Sequence, residues 1–309
     1  MKKQILIVGS GFAGMWAAVS AARLSEQQGN NSLEIAVLAP LPELRVRPRF
    51  YEEKVSTLVA PLTDLFAELD ITFIAGHAEQ IDTTAKTVLY RMSNGAHATA
   101  SYDRLILATG SQTKRPAIAG LADYAFDIDQ LESAQVFERH LDSLALRPST
   151  PERNTVVVCG GGFTGIELAT ELPARLRARF GDNTEIKIVA VERGPVIGGR
   201  YSDALRKTIA EASEALGVEW RLKSEVEAID AHGVTLKNGE RIAAATVVWT
   251  AGVEANPLSL YTEGWDQAVK SVRDEAKKIK IAITNELIYP PLADKTVAFA
   301  AADPLAKFV

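Results

Sequence analysis

Two glycine-rich loops of the same form, about 150 residues apart, constrain this chain more than any other feature. Gly9-Ser10-Gly11-Phe12-Ala13-Gly14 follows the apolar run Gln4-Ile5-Leu6-Ile7-Val8 and precedes a stretch of helical composition from Met15 to Leu24. Gly160-Gly161-Gly162-Phe163-Thr164-Gly165 repeats the arrangement after Thr155-Val156-Val157-Val158-Cys159 and before Ile166-Glu167-Leu168-Ala169-Thr170-Glu171-Leu172. Strand, GxGxxG and helix in that order make a nucleotide-binding turn. The first glycine permits the tight turn, the second lets a pyrophosphate reach the backbone, and the third lets the helix pack close to the strand. Free N–H groups at the helix N-terminus then face the phosphates. One such loop arises easily by chance, but two in the same setting predict an α/β chain with two Rossmann-like dinucleotide-binding domains. Gly9, Gly11, Phe12, Ala13 and Gly14 are the candidate ligand contacts of the first loop. Gly160, Gly162, Phe163, Thr164 and Gly165 are those of the second.

Composition agrees with that reading and removes others. The 309 residues suffice for two domains with their own cores. Hydrophobic residues at 47% against 24% charged are the balance of a folded globule. A net charge of −5 gives no basic field for nucleic acid, so none is expected as a partner. No run approaches the ~18 apolar residues that a membrane-spanning helix needs, and Met1-Lys2-Lys3 opens a buried strand rather than a signal peptide. A cytoplasmic protein is expected, at most peripheral on the inner face of the cell membrane. Cys159, the single cysteine, excludes dithiol chemistry and reads as a core thiol at a strand end. His77, His97, His140 and His232 lack ligand spacing, so no metal site is expected.

The strand after each loop separates the two ligands. Glu185-Ile186-Lys187-Ile188-Val189-Ala190-Val191 ends at Glu192, whose carboxylate can accept hydrogen bonds from adenosine ribose hydroxyls and would repel a 2′-phosphate. NADH is therefore expected over NADPH, a preference that the adjacent Arg193 softens. The alternative for Glu192 is an ordinary exposed acid at a strand end. In the first unit Leu33-Glu34-Ile35-Ala36-Val37-Leu38 runs into Ala39-Pro40 and presents no carboxylate.

Further segments complete a pattern. Tyr102-Asp103-Arg104-Leu105-Ile106-Leu107-Ala108-Thr109-Gly110-Ser111 and Val247-Val248-Trp249-Thr250-Ala251-Gly252-Val253 each end an apolar strand on a glycine, at the face where a cofactor meets backbone. With both loops, these motifs resemble the pyridine nucleotide-dependent flavoprotein oxidoreductases with two dinucleotide-binding domains. Among these the chain is most like the type II NADH dehydrogenases (NADH:quinone reductases), over roughly residues 3 to 258.

The resemblance implies FAD on the first unit and NADH on the second, with Thr109, Gly110, Ala251 and Gly252 at the cofactors. It places Arg47-Pro48-Arg49-Phe50-Tyr51-Glu52 along the flavin, so Arg47 and Arg49 serve either the cofactor or the solvated surface. Glu167 falls where the family carries a glutamate between nicotinamide and flavin, and its other explanation is a helix-start acid favoured by the macrodipole. The implied activity is hydride transfer from NADH to FAD and electron delivery to an acceptor, a quinone. A reductase of a small electron-transfer protein and a nucleotide-binding protein without turnover are the alternatives. The partners implied are a quinone, a membrane surface and a second copy of the chain.

The chain also departs from the family. The return strand to the flavin domain, ending in Gly-Asp, is missing after Leu258. Ala302-Asp303 imitates it without the glycine. Trp265, Val269, Val272, Ala276, Ile279 and Ile283 instead make an apolar helical stripe opposite Lys270, Arg273, Lys277, Lys278 and Lys280. Such a basic amphipathic helix suits an anionic membrane surface or docks on its own protein. The expected domains are an FAD-type domain at 1–115, an NAD(H)-binding domain at 116–256 and a tail at 257–309. A β-rich excursion from Ile71 to Tyr102 turns at Asn94-Gly95, a second hairpin turns at Asn238-Gly239, and Arg147 to Asn154 reads as a linker.

Overall fold

The computed structural model describes residues 2–29 and 32–260. The tail beyond residue 260, with the expected basic helix and the Ala302-Asp303 pair, lies outside the described residues.

The chain divides into two compact units. Of the described residues, the first holds those up to Arg45, Ala60–Ser111 and those from Glu254 to Leu260; the second holds Val46–Val59 and Gln112–Val253. Each is built on a four-stranded parallel sheet of the same strand order. In the first the order is Ile71–Ala75, Leu33–Ala39, Lys3–Val8, Arg104–Leu107. In the second it is Val218–Arg221, Lys187–Val191, Thr155–Cys159, Thr246–Trp249. The strand bearing the glycine loop is therefore flanked by the second and the last strands of its sheet. That is the topological switch point, where an open α/β sheet takes its ligand.

Continuous apolar runs build these strands because both faces of a parallel sheet are covered. Side chains alternate between the faces. Ile7 joins Met15, Ala18 and Phe66 on one side, while Leu6 and Val8 join Ile81, Val88 and Ala100 on the other. Likewise Val156 and Val158 pack with Leu168, Leu172 and Leu176, whereas Val157 and Cys159 pack with Val234, Leu236 and Ile242.

Burial holds the Cys159 thiol protonated, with a pKa raised to about 12. Native protein should therefore resist thiol alkylation at neutral pH and react only on unfolding. Rapid labelling of the folded protein would contradict this placement.

Each unit inserts a three-stranded antiparallel sheet before its last parallel strand: His77–Asp82, Thr87–Arg91 and His97–Ser101 in the first, Val226–Asp230, Gly233–Leu236 and Arg241–Ala243 in the second. Both Asn-Gly turns lie where expected, with Gly95 and Gly239 at φ 85 and 86. The excursion starts at His77 rather than Ile71, because Ile71–Ala75 pairs in the parallel sheet with Leu33–Ala39.

One linker reading and one domain boundary differ from the sequence reading. Arg147 to Asn154 lies inside the second unit, where Arg153 is 8% exposed. Its Nε donates to Leu144 O, and its guanidinium stacks 3.8 Å from the Phe180 ring centroid. Val46–Val59 belongs to the second unit because Phe50, Val55 and Leu58 are buried with Leu131, Phe137 and Leu141. The helix expected through Leu172 continues through Pro173 as Phe163–Phe180. Burial of Leu176 and Arg175 on its far half outweighs the hydrogen bond that proline removes.

Candidate functional site

In the first unit the loop from Gly9 to Gly14 turns from strand into the helix Phe12–Gln27. Gly9 has φ 111, and a Cβ on Gly14 would lie 1.8 Å from Gly9 O. Only glycine allows that approach of helix to strand. A Cβ on Gly11 meets nothing within 4 Å, so the protein itself leaves that position open for a ligand. Phe12 and Ala13 are exposed at the helix start. Ala108 N donates to Val8 O, which sets Thr109 and Gly110 beside the loop, Gly110 at φ 69. Ser10 Oγ lies 3.1 Å from both Leu41 O and Glu43 O. A segment carrying the acid Glu43 thus reaches the loop where Ala39-Pro40 offers none, and nothing in the local sequence signalled it.

The second unit repeats the cradle. Gly160 has φ 125, and a Cβ on Gly165 would lie 1.8 Å from Gly160 O, whereas one on Gly162 meets nothing within 4 Å. Thr250 Oγ1 donates to Cys159 O at 3.1 Å or Gly160 O at 3.2 Å, tying the segment Thr250-Ala251-Gly252 to the loop. Thr250 is a site residue that sequence reasoning passed over, although it sits inside a recognised motif. The Glu192 carboxylate accepts from Gly161 N and from Gly194 N, both at 2.6 Å. It is thereby fixed at the strand tip, against the glycine loop. Phe163 and Thr164 are exposed at the helix start, and Phe163 meets Tyr201 edge to face at 5.6 Å and 88°.

One turn further along this helix lies half-buried Glu167. Burial, and then the charge of Glu52, push its pKa up to about 7. Tyr51 and Tyr201 both feel the Glu167 charge, and burial followed by that charge raises each of their hydroxyl pKa values. The helix macrodipole alone would lower an acid near a helix N-terminus, so the shift points away from that explanation. Tyr51, Glu52 and Tyr201 join the site, and only the fold brings them to Glu167.

Arg47 and Arg49 sit in the second unit, not in the unit that carries the first glycine loop. Arg47 pairs with Asp129, and Arg49 grips Glu52 through two bonds of 2.5 and 2.6 Å. A bidentate guanidinium–carboxylate pair of this kind fixes direction as well as charge.

Two nucleotide cradles of this build, each at the switch point of its own sheet, define the two-dinucleotide-binding flavoprotein fold. The chain belongs to the pyridine nucleotide-disulphide oxidoreductase family, whose model matches residues 3–281. It is 38% identical over 260 residues to an NADH dehydrogenase-like protein of Mycobacterium tuberculosis, covering 83% of this chain and 64% of that protein. It is 30% identical over 265 residues to the demethylphylloquinone reductase of Synechocystis, covering 83% and 63%. The fold is like that of NDH2 from Plasmodium falciparum in complex with NADH, with a TM-score of 0.74 at 16% identity, over 85% of this chain and 58% of that one. The chain thus spans less than two thirds of the length of these relatives. Among the described residues no helix is long and apolar enough to cross a membrane.

Proposed function

We propose that the protein is an FAD-dependent oxidoreductase that takes hydride from NADH and delivers the electrons to a quinone. The observation that carries this reading is the repetition of the glycine cradle, open at Gly11 and Gly162 and closed to any side chain at Gly14 and Gly165. The first cradle, with Thr109 and Gly110, would hold the ADP half of FAD. The second, with Phe163, Thr164, Ala251 and Gly252, would hold NADH, and Glu192 would receive its ribose hydroxyls. When bound, the two cofactors supply the hydride chemistry; the chain orients them and manages protons. Family relatives whose names specify NADH and quinone substrates support the choice of both.

Reduction of a quinone by NADH consumes one proton from water. Glu167 is suited to deliver it, because a carboxyl with a pKa of about 7 still carries its proton near neutrality. Raising the pH through 7 removes that proton. Turnover with a water-soluble quinone should therefore fall as the pH rises through about 7. Glu167→Gln should erase this limb and cut turnover roughly 100-fold, as loss of a general acid does. A variant with the parental rate and pH profile would take Glu167 out of the mechanism.

The overall reading is tested by absorbance. Protein incubated with FAD and desalted should stay yellow and bleach on anaerobic NADH. A colourless protein that still binds NADH would replace the oxidoreductase with a nucleotide-binding protein without turnover.

A further inference from the structure

The helix Phe163–Phe180 carries Glu167, Glu171, Arg175 and Arg179 at successive intervals of four, which places them along one face, turn above turn. The segment from Tyr51 to Glu53 lies along this stripe. Arg175 Nη1 donates to Tyr51 O at 2.6 Å, and its Nε lies 4.0 Å from a Glu53 carboxylate oxygen. Arg179 bonds the same Glu53 carboxylate, donates to Asp142 Oδ1 at 2.8 Å, and reaches back to Arg175 O at 3.1 Å. The basic half of the stripe thus grips the segment, and the acidic half faces what the segment presents.

We propose that Arg175 and Arg179 are positioning residues, which hold the Tyr51–Glu53 strap so that Tyr51 and Glu52 close over Glu167. The proposal rests on Glu167 being the functional carboxyl of the reading above.

Three further observations support it. The strap is pegged on both sides of the clamp by Phe50 and Val55, 2% and 1% exposed, so its middle residues have little freedom. Lys54, next to the clamp, sits at φ 54, a left-handed conformation uncommon for a side-chain-bearing residue, and its N–H is bonded to the Glu138 carboxylate. Finally, the Arg175 side chain is 2% exposed and its Nε has no hydrogen-bond partner. An apolar side chain would fill that space without desolvating a charge. A buried guanidinium used for its direction rather than for stability is what a positioning role requires.

The charged and titratable groups that interact with Glu167 are Glu52 and Tyr51 on the strap and Tyr201, with Glu171 one turn along the same helix. Arg49 holds Glu52, and Arg200 acts on Tyr201. Losing the clamp would admit water and let Glu52 move away. Both changes favour the ionised Glu167, so its midpoint should fall.

The test is a pH titration of the whole protein by carboxyl carbon NMR with labelled glutamate, in which Glu167 is identified by the resonance that Glu167→Gln removes. The parent should titrate near pH 7. Glu53→Gln, which removes the carboxylate that Arg179 bonds and that lies 4.0 Å from Arg175 Nε at a half-exposed site, should lower the midpoint by about one pH unit. Arg175→Met should lower it further, and Arg175→Lys should recover part of the difference. An unchanged midpoint in Glu53→Gln, with native circular dichroism, would overturn the proposal, and that variant decides alone if Arg175→Met does not fold. Equal midpoints for the Lys and Met variants would also overturn it. Failure of the catalytic reading shows separately, as undiminished quinone turnover in Glu167→Gln.

Discussion

Gly165→Ala should destabilise the second unit by about 3 kcal/mol, since overpacking that forces backbone apart reaches this size. The added Cβ would sit 1.8 Å from Gly160 O and 2.7 Å from Thr250 Oγ1, and the first of these atoms is backbone that cannot rotate away. Gly14→Ala carries the same penalty in the first unit, at 1.8 Å from Gly9 O. The contrast is with Gly162→Ala and Gly11→Ala, where no protein atom lies within 4 Å of the new Cβ. Both are N-cap positions in extended backbone, with φ −77 and −66, that any residue adopts. Those variants should melt within about 1 kcal/mol of the parent, the usual scale of an N-cap change. They should nevertheless lose NADH or FAD binding, because the methyl occupies the path of the pyrophosphate. Thermal melting together with cofactor titration separates the cases. Parental stability in Gly165→Ala would deny the tight helix approach. Parental NADH affinity in Gly162→Ala would place the pyrophosphate elsewhere.

Glu192→Arg should reverse the nucleotide preference, moving the ratio of NADH to NADPH dissociation constants by at least about 100-fold. Like charges juxtaposed across an interface cost several kcal/mol, and each 1.4 kcal/mol is a factor of ten. The geometry makes Glu192 the residue to change, since two backbone N–H groups at 2.6 Å hold its carboxylate at the strand tip. Glu192→Gln is the companion variant: it keeps an acceptor for Gly161 N–H while removing the charge, and should raise NADPH affinity without creating a phosphate site. Fluorescence titration with both nucleotides reads the effect. An unchanged ratio in Glu192→Arg would remove Glu192 from the ribose site.

The two cradles were legible in the sequence because their constraints are local. A strand, a turn that only glycine can make and a helix start lie within about fifteen consecutive residues of each other. The same holds for the Asn-Gly hairpins and for the apolar alternation that covers both sheet faces. Glu192 was legible too, since its position at the end of the second strand follows from counting along a βαβ unit. Glu167 could be picked out only as a candidate: its raised pKa comes from burial and then from Glu52, more than a hundred residues earlier in the chain.

Tertiary structure alone decided where Arg47 to Glu53 belongs. Read along the chain, the segment follows the first unit's second strand and counts with it. In the fold, Phe50, Val55 and Leu58 bury their side chains among Leu131, Phe137 and Leu141, and Arg175 and Arg179 take hold of Tyr51 and Glu53. Apolar burial has no direction along the sequence and no preferred spacing, so no pattern in residues 46–59 could name its partners. The amino-acid sequence by itself determined the two nucleotide-binding folds and the loops that serve them, because backbone geometry written in glycines is local. Which side chains surround Glu167, and which arginines hold them there, followed only once packing had brought distant segments together.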